Sequence, residues 1–356
     1  MSMTDTALPQ ARPDAEIILS VSATEGLVAI PVGEKYSYGH TALRSTRAFE
    51  KQKAGVHVLR DLSTMRDMMP SLAQAAKLYR VALTTSSRPY LGDYAQKLAR
   101  CLPGTWTTTV EVYAHPVWQE DWLPLLWDSG QLTEAMEHCR VPYGAVLTSS
   151  AGAELLLIEQ PGTPDRYLLG ACASSTFDDN YDNPFAPPAI GLPKYPRLAA
   201  AQVTTSFLPR YEHAVHKRLL AAVESGHGRL EDLRRSAGDG HAESSKAVLR
   251  QLRPHAAHLL DRIWWATTPD RADAEALDRL HALLRPGRGD RPSVFRAPAP
   301  LPSASADDVR RWIADAPVLL KHARAALPPP PATDSRRALP PSPQALTAPS
   351  TSGRSR

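Results

Sequence analysis

The chain has 356 residues, 43% hydrophobic and 22% charged, with a net charge of +4 from 41 basic and 37 acidic side chains. That length allows about two domains at roughly 150 residues each, which excludes wholesale disorder, and no sequence period supports a collagen-like or coiled-coil chain. The charge is unevenly divided: residues 1–205 carry 17 basic and 21 acidic side chains, residues 206–356 carry 24 and 16, so a polyanionic partner suits the second half.

Residues 1–15 are polar and proline-bearing and read as a flexible N-terminus. From Glu16, EIILSVSATEGLVAIPV reads as two strands around Glu25-Gly26, a hairpin signal. A repeating order follows: a strand at Val56-His57-Val58-Leu59, an amphipathic helix from Met65 to Tyr79, and a strand from Val81 to Thr85. A helix from Tyr90 to Leu102, a strand from Thr108 to Ala114 and helical sequence from Glu120 to Cys139 continue it. Such alternation predicts an α/β fold with a small parallel-core sheet. Three strands starting at Tyr143, Glu154 and Tyr167, punctuated by SSAG and PGTPD, predict an added antiparallel meander. Residues 177–197 form a polar, proline-bearing loop that closes the α/β domain, 16–197.

The period then turns helical over 198–285. Helices are expected at Leu198–Phe207, Tyr211–Ser225, Arg229–Ser236, Ala242–Thr267 and Arg271–Leu284, with Gly226 and Gly228 as breaks. Residues 286–356 hold 14 of the 33 prolines and read as a Pro/Ala/Arg-rich linker and disordered tail. Within them, 306–326 forms a short helix with Ser305 and Asp307 as caps and Val309, Trp312, Ile313, Leu319 and Leu320 as its apolar set.

Two strand ends carry polar groups where an open α/β sheet binds ligands. Ser86, Ser87 and Arg88 follow the strand at 81–85, and Pro89 stands at a helix-start position, so the three are a candidate anion site. His115 follows the next strand, with Glu120 and Asp121 at an expected helix start, a candidate acid–base set. The alternative for both is plain capping, with acidic residues favoured by the helix dipole. The stretch Val81 to Pro103, with Thr84-Thr85-Ser86 before Arg88 and Pro89, resembles the opening β–α unit of Brix-type ribosome-assembly domains; Ser87 is an insertion in that pattern, and the resemblance implies RNA.

Residues 229–252 have the outline of a helix-turn-helix. Arg234, Arg235, Lys246, Arg250 and Arg253 are its candidate phosphate contacts, and Asp239 stands where an apolar turn residue usually packs. No phosphate-loop, dinucleotide-binding, GxSxG or HExxH motif is present, so no cofactor is expected. No metal is expected either. The 177–183 loop lacks the glycine and glutamate of a calcium loop, and His213/His216 and His255/His258 have no further ligand in register. Cys101, Cys139 and Cys172 lack CxxC spacing, which argues against a disulfide framework or zinc ribbon.

The start of the chain lacks a basic and an apolar region, so no signal peptide is expected. The longest apolar run, Leu155 to Ile158, is far too short to span a bilayer. Together with 32 arginines against 9 lysines, a GC-rich coding bias, these features predict a bacterial, cytoplasmic protein without membrane contact. Three functions are consistent with the residues. One is a non-enzymatic protein meeting DNA or RNA through its basic helical half. The others are an α/β enzyme or small-anion or nucleotide binder near Ser86 and His115, and an adaptor docking a protein through its Pro-rich tail.

Overall fold

The computed structural model describes residues 13–172, 177, 180, 183–236, 241–264, 266–285 and 304–328. The expected flexible N-terminus, apart from 13–15, and the tail beyond 328 lie outside these residues. Two sheets and ten helices are described, a mixed α/β architecture.

The hairpin of β1 (Glu16–Ser22) and β2 (Gly26–Val32) forms as its turn chemistry predicts, with Glu16 opposite Val32 and Ser22 opposite Gly26. Gly26 has φ +89°, and a Cβ there would run into the Leu59 carbonyl, so only glycine suits the turn. The buried Asp93 carboxylate fastens the same turn, accepting from Ser22 Oγ at 2.7 Å, Thr24 Oγ1 at 3.1 Å and the Ala23 amide at 2.5 Å. After α1 (Tyr36–Ser45) come β3 (Glu50–Lys51), β4 (His57–Leu59), α2 (Met65–Tyr79) and β5 (Ala82–Thr85). The first sheet has the order β3-β4-β2-β1-β5, and β1–β5 is its parallel pair. Helices α1 and α2 cover one face, where Ile17, Leu19, Leu27 and Ala29 meet Leu43 and Leu72.

Next in the chain are α3 (Leu91–Cys101), β6 (Trp106–Val112), α4 (Pro116–Glu120), β7 (Leu126–Trp127) and α5 (Gln131–His138). The strands β8 (Tyr143–Ser149), β9 (Glu154–Glu159), β10 (Arg166–Cys172) and β11 (Ile190–Pro193) complete this half. β8, β9 and β10 form the expected meander. The strand expected at 108–114 does not lie beside β5. It is β6, antiparallel to β8, at the edge of a second sheet of order β11-β10-β9-β8-β6. Its sequence WTTTVEV is threonine-rich and half exposed, the pattern of an antiparallel edge and not of a parallel strand buried on both faces. One face of each sheet enters a shared core, Val28, Ile30 and Val32 from the first and Ala145, Leu155 and Leu157 from the second, with Leu91, Tyr94 and Leu98 of α3. The outer face of the second sheet packs Leu156 and Ile158 on Leu132 and Met136 of α5.

The first expected helices of the second half merge. α6 (Pro196–Gln202) runs through a π-helical turn at Val203–Phe207 into α7 (Leu208–Arg235). Leu208 alone separates that turn from Pro209, which has no amide to donate. Gly226 does not break α7. It faces Leu252 of α8 (His241–Trp264), where a Cβ would come within 2.7 Å of Leu252 Cδ1, so the glycine admits close helix approach. Gly226 against Leu252 and Glu212 paired with Arg262 show that α7 and α8 run antiparallel along their length. The segment 229–252 is therefore the closed end of a helical hairpin, not a helix-turn-helix with its steeply crossed recognition helix. α9 (Arg271–Leu284) and α10 (Ala306–Ala325) complete the core. The helix expected at 306–326 is not a linker element. Its Trp312 and Leu319 are fully buried with Leu259 and Leu280, and Ser305 with Asp308 forms a capping box.

Candidate functional site

The loop after β5 supplies the first set of candidates. Ser86 Oγ accepts from the Arg88 amide at 3.1 Å and so caps a turn rather than a helix; α3 starts only at Leu91. Ser87 is exposed. The Arg88 guanidinium crosses to the second sheet, 3.3 Å from Glu159 Oε2. It donates to the carbonyls of Gln160, Thr163 and Arg166 at 3.2, 2.7 and 3.3 Å. Tyr143 donates to Glu159 at 3.0 Å. Burial raises the Glu159 pKa, and Arg88 and Tyr143 oppose that rise. Arg88 thus clamps the β9–β10 turn, and its donors are occupied within the fold.

The turn that Arg88 holds forms one wall of an open polar groove of about 590 Å³. The groove is lined by Gln131, Gln160, Thr163, Arg166, Ala189, Ile190, Gly191 and Gln202. The turn owes its shape to PGTPD, with Gly162 at φ +69° and Asp165 at φ +59°, and Asp165 is tied to Lys194 at 2.9 Å. Arg166, the first residue of β10, is exposed and has no ion pair among the described residues. A Cβ on Gly191 would lie 3.4 Å from Arg166 Nη2 and 3.8 Å from Gln160 Oε1, so glycine keeps the space between them open. Gln160 Oε1 is buried without a hydrogen-bond partner among the described residues, and Gln202 Nε2 donates to the Gly191 carbonyl at 3.1 Å. A forked guanidinium among side-chain amides offers directed donors to a carboxylate or phosphate. A second groove, about 560 Å³, lies between Glu50, Arg60 and Asp67. Its Arg60 is already paired with Glu50 at 3.1 Å and Glu25 at 3.7 Å.

His115 lies elsewhere. The Gly33 amide donates to the Ala114 carbonyl, which places His115 beyond the C-terminal end of β2, while the Ser86 amide donates to Leu19, opposite Ala29. Those points are about 13 Å apart along the strand, so Ser86 and Ser87 do not share a cleft with His115. His115 is the N-cap of α4, its Nδ1 accepting from the Val117 amide at 3.3 Å. Glu120 ends α4 and Asp121 follows it, so the acidic pair marks the end of this helix and not its start. Both are exposed.

His115 instead joins an aromatic cluster absent from the sequence reading. Its ring lies 6.4 Å from that of Trp118; Trp118 lies 5.1 Å from Tyr36, and Tyr36 5.8 Å from His40. His40 Nδ1 is 2.8 Å from Nε2 of the fully buried His57. Burial lowers the pKa of both, His57 to about 4, and the neighbouring His40, Lys51 and Arg44 push His57 the same way. A histidine in the apolar run VHVL was the available signal for this pair. Arg166 and Gln160 gave none, because only the pairing of β10 with β11 and the packing of α5 and α6 bring them to Gly191, Gln131 and Gln202.

The basic candidates of the helical hairpin are largely paired. Arg253 is buried and meets Asp308 at 3.0 Å, Lys246 meets Glu243 at 2.7 Å, and Arg235 meets Asp232. Arg234 and Arg250 are exposed. The described residues from 206 to 328 carry 17 basic and 13 acidic side chains, half of the excess of the whole segment. Among the described residues there is no cluster of three or more metal-ligating side chains, and no helix is long and apolar enough to cross a membrane. Comparison with protein-family models, curated proteins and solved structures finds no match. β5 and α3 form the strand–helix unit on which the Brix resemblance rested, and nothing beyond that unit supports the resemblance.

Proposed function

We propose that this is a non-enzymatic binding protein whose groove at the β9–β10 turn takes a small anionic ligand bearing a carboxylate or phosphate. The observation that carries the reading is Arg166, a guanidinium without a counter-ion among the described residues, set in a groove with Gln131, Gln160 and Gln202. The anion-binding role expected of Arg88 passes to Arg166, and Arg88 acts as the brace that holds the turn in place. Nucleic-acid binding through the helical hairpin is the weaker reading, because Arg235, Lys246 and Arg253 already meet carboxylates.

Calorimetric titration with inorganic phosphate and with small dicarboxylates tests the proposal. Binding to the native chain is expected, with Arg166→Gln weakening it about tenfold or more, in keeping with loss of a charge-assisted hydrogen bond. Arg60→Gln, in the other groove, should leave it unchanged. Equal binding by the native and Arg166→Gln chains would refute the assignment.

A further inference from the structure

The surface beside His115 has a composition the groove does not explain. Trp118 is 42% exposed and Val117 50% exposed on α4, with Tyr36 packed against Trp118. Glu120 and Asp121 are exposed beside them, and neither meets a cation among the described residues. Paired aromatic rings bordered by free carboxylates form a surface that suits a proline-rich segment with an arginine at one end. Polyproline helices dock on aromatic side chains, and arginine pairs with carboxylates or stacks on tryptophan.

The chain carries such a segment. Residues 337–343 read Arg-Ala-Leu-Pro-Pro-Ser-Pro. In a polyproline helix of three residues per turn, Arg337, Pro340 and Pro343 fall on one face. We propose that this face docks on the Tyr36–Trp118 surface of the same molecule, with Pro340 and Pro343 against the rings and Arg337 between Glu120 and Asp121.

Charge and the length of chain beyond Pro328 favour this occupant. The carbonyl of Pro328, the last described residue, is 2.7 Å from His213 Nδ1 on α7. From Pro328 to Arg337 an extended polyproline segment spans about 28 Å, and the docking face extends about 19 Å further. Arg336 and Arg337 are cationic where the surface is anionic.

The test uses the full chain labelled with 5-fluorotryptophan, the Trp118 resonance being assigned through Trp118→Phe. The double variant Pro340→Ala/Pro343→Ala should shift that resonance, and a synthetic peptide of residues 334–346 added to the variant should return it towards the native position. Glu120→Lys/Asp121→Lys, both exposed and outside the anion groove, should weaken peptide binding at least tenfold without lowering the melting temperature. An identical Trp118 resonance in the native and double-variant chains overturns the proposal. So does a peptide that binds the charge-reversed surface as well as the native one, or that fails to perturb Trp118. None of these outcomes bears on Arg166, so this inference and the groove assignment fail separately.

Discussion

Arg166 in the α/β half stands exposed in a polar groove without a counter-ion among the described residues, whereas in the helical half Arg253, Arg262, Arg279, Arg285 and Arg324 each meet a carboxylate. Several of these pairs join different helices: Arg253 of α8 to Asp308 of α10, Arg279 of α9 to Asp315 of α10, and Arg324 of α10 to Glu224 of α7. A cation that closes such a pair contributes to the bundle and has little left for an outside phosphate. The contrast teaches that the charge excess of the second half overstates the cations that its described residues leave unpaired. Arg234 and Arg250 of the helical half are exposed as Arg166 is; what sets Arg166 apart is the groove of side-chain amides around it.

The sharpest way to break this comparison is to open a buried pair. Arg253 is 3% exposed and Asp308 also caps α10, so Asp308→Ala should cost about 2 kcal/mol through loss of a charge-assisted hydrogen bond and of the helix cap. Combining it with Arg253→Met should recover much of the loss, since an apolar side chain suits the site. Denaturant unfolding of the two variants measures both, and a cost below about 0.5 kcal/mol would show that the pair is decorative.

A second effect lies in the α/β half and depends on pH. The His57 pKa is lowered to about 4 in the folded chain, against about 6.5 when unfolded. As pH falls from 6.5, the unfolded chain therefore takes up the proton first. The stability present above pH 6.5 is lost progressively down to pH 4, by about 3 kcal/mol in total. Thermal unfolding of His57→Leu should show a flatter acid limb than the native chain, and parallel limbs would contradict the buried-imidazole account.

The smallest effect is expected on the outer face of the hairpin. Lys246→Ala with Arg250→Ala removes an exposed i,i+3 pair and an exposed arginine, and should change stability by less than about 0.5 kcal/mol. If the pair contacted duplex DNA, its loss would flatten the salt dependence of binding by about two units. The groove assignment predicts no such change in a mobility-shift titration at low and moderate salt.

Local chemistry made much of the fold legible. The Glu25-Gly26 turn, the PGTPD turn of the meander and the capped apolar set of α10 all appear where the residues placed them. What the sequence could not disclose was partnership at long range. Gly226 reads as a helix breaker until Leu252 is known to pack against it. Likewise WTTTVEV reads as a strand of either sheet until its antiparallel pairing with β8 is known. The candidate site followed the same rule. Arg88 was visible as a cation at a strand end, but its partners lie 71 or more residues away in the chain, at Glu159, Gln160, Thr163 and Arg166. The groove it braces is assembled from four separate stretches between Gln131 and Gln202, and no local motif announces it.

The central claim is that a small anion meets Arg166 and its amide neighbours, and not the arginines of the helices. Side-chain ¹⁵N–¹H resonances, followed while inorganic phosphate or a dicarboxylate is titrated into the native chain, test it most directly. The account predicts saturable shifts in the Arg166 guanidinium and in the side-chain amides of Gln131, Gln160 and Gln202, with Arg234 and Arg250 unmoved. Shifts confined to Arg234 and Arg250, with the groove residues silent, would contradict it.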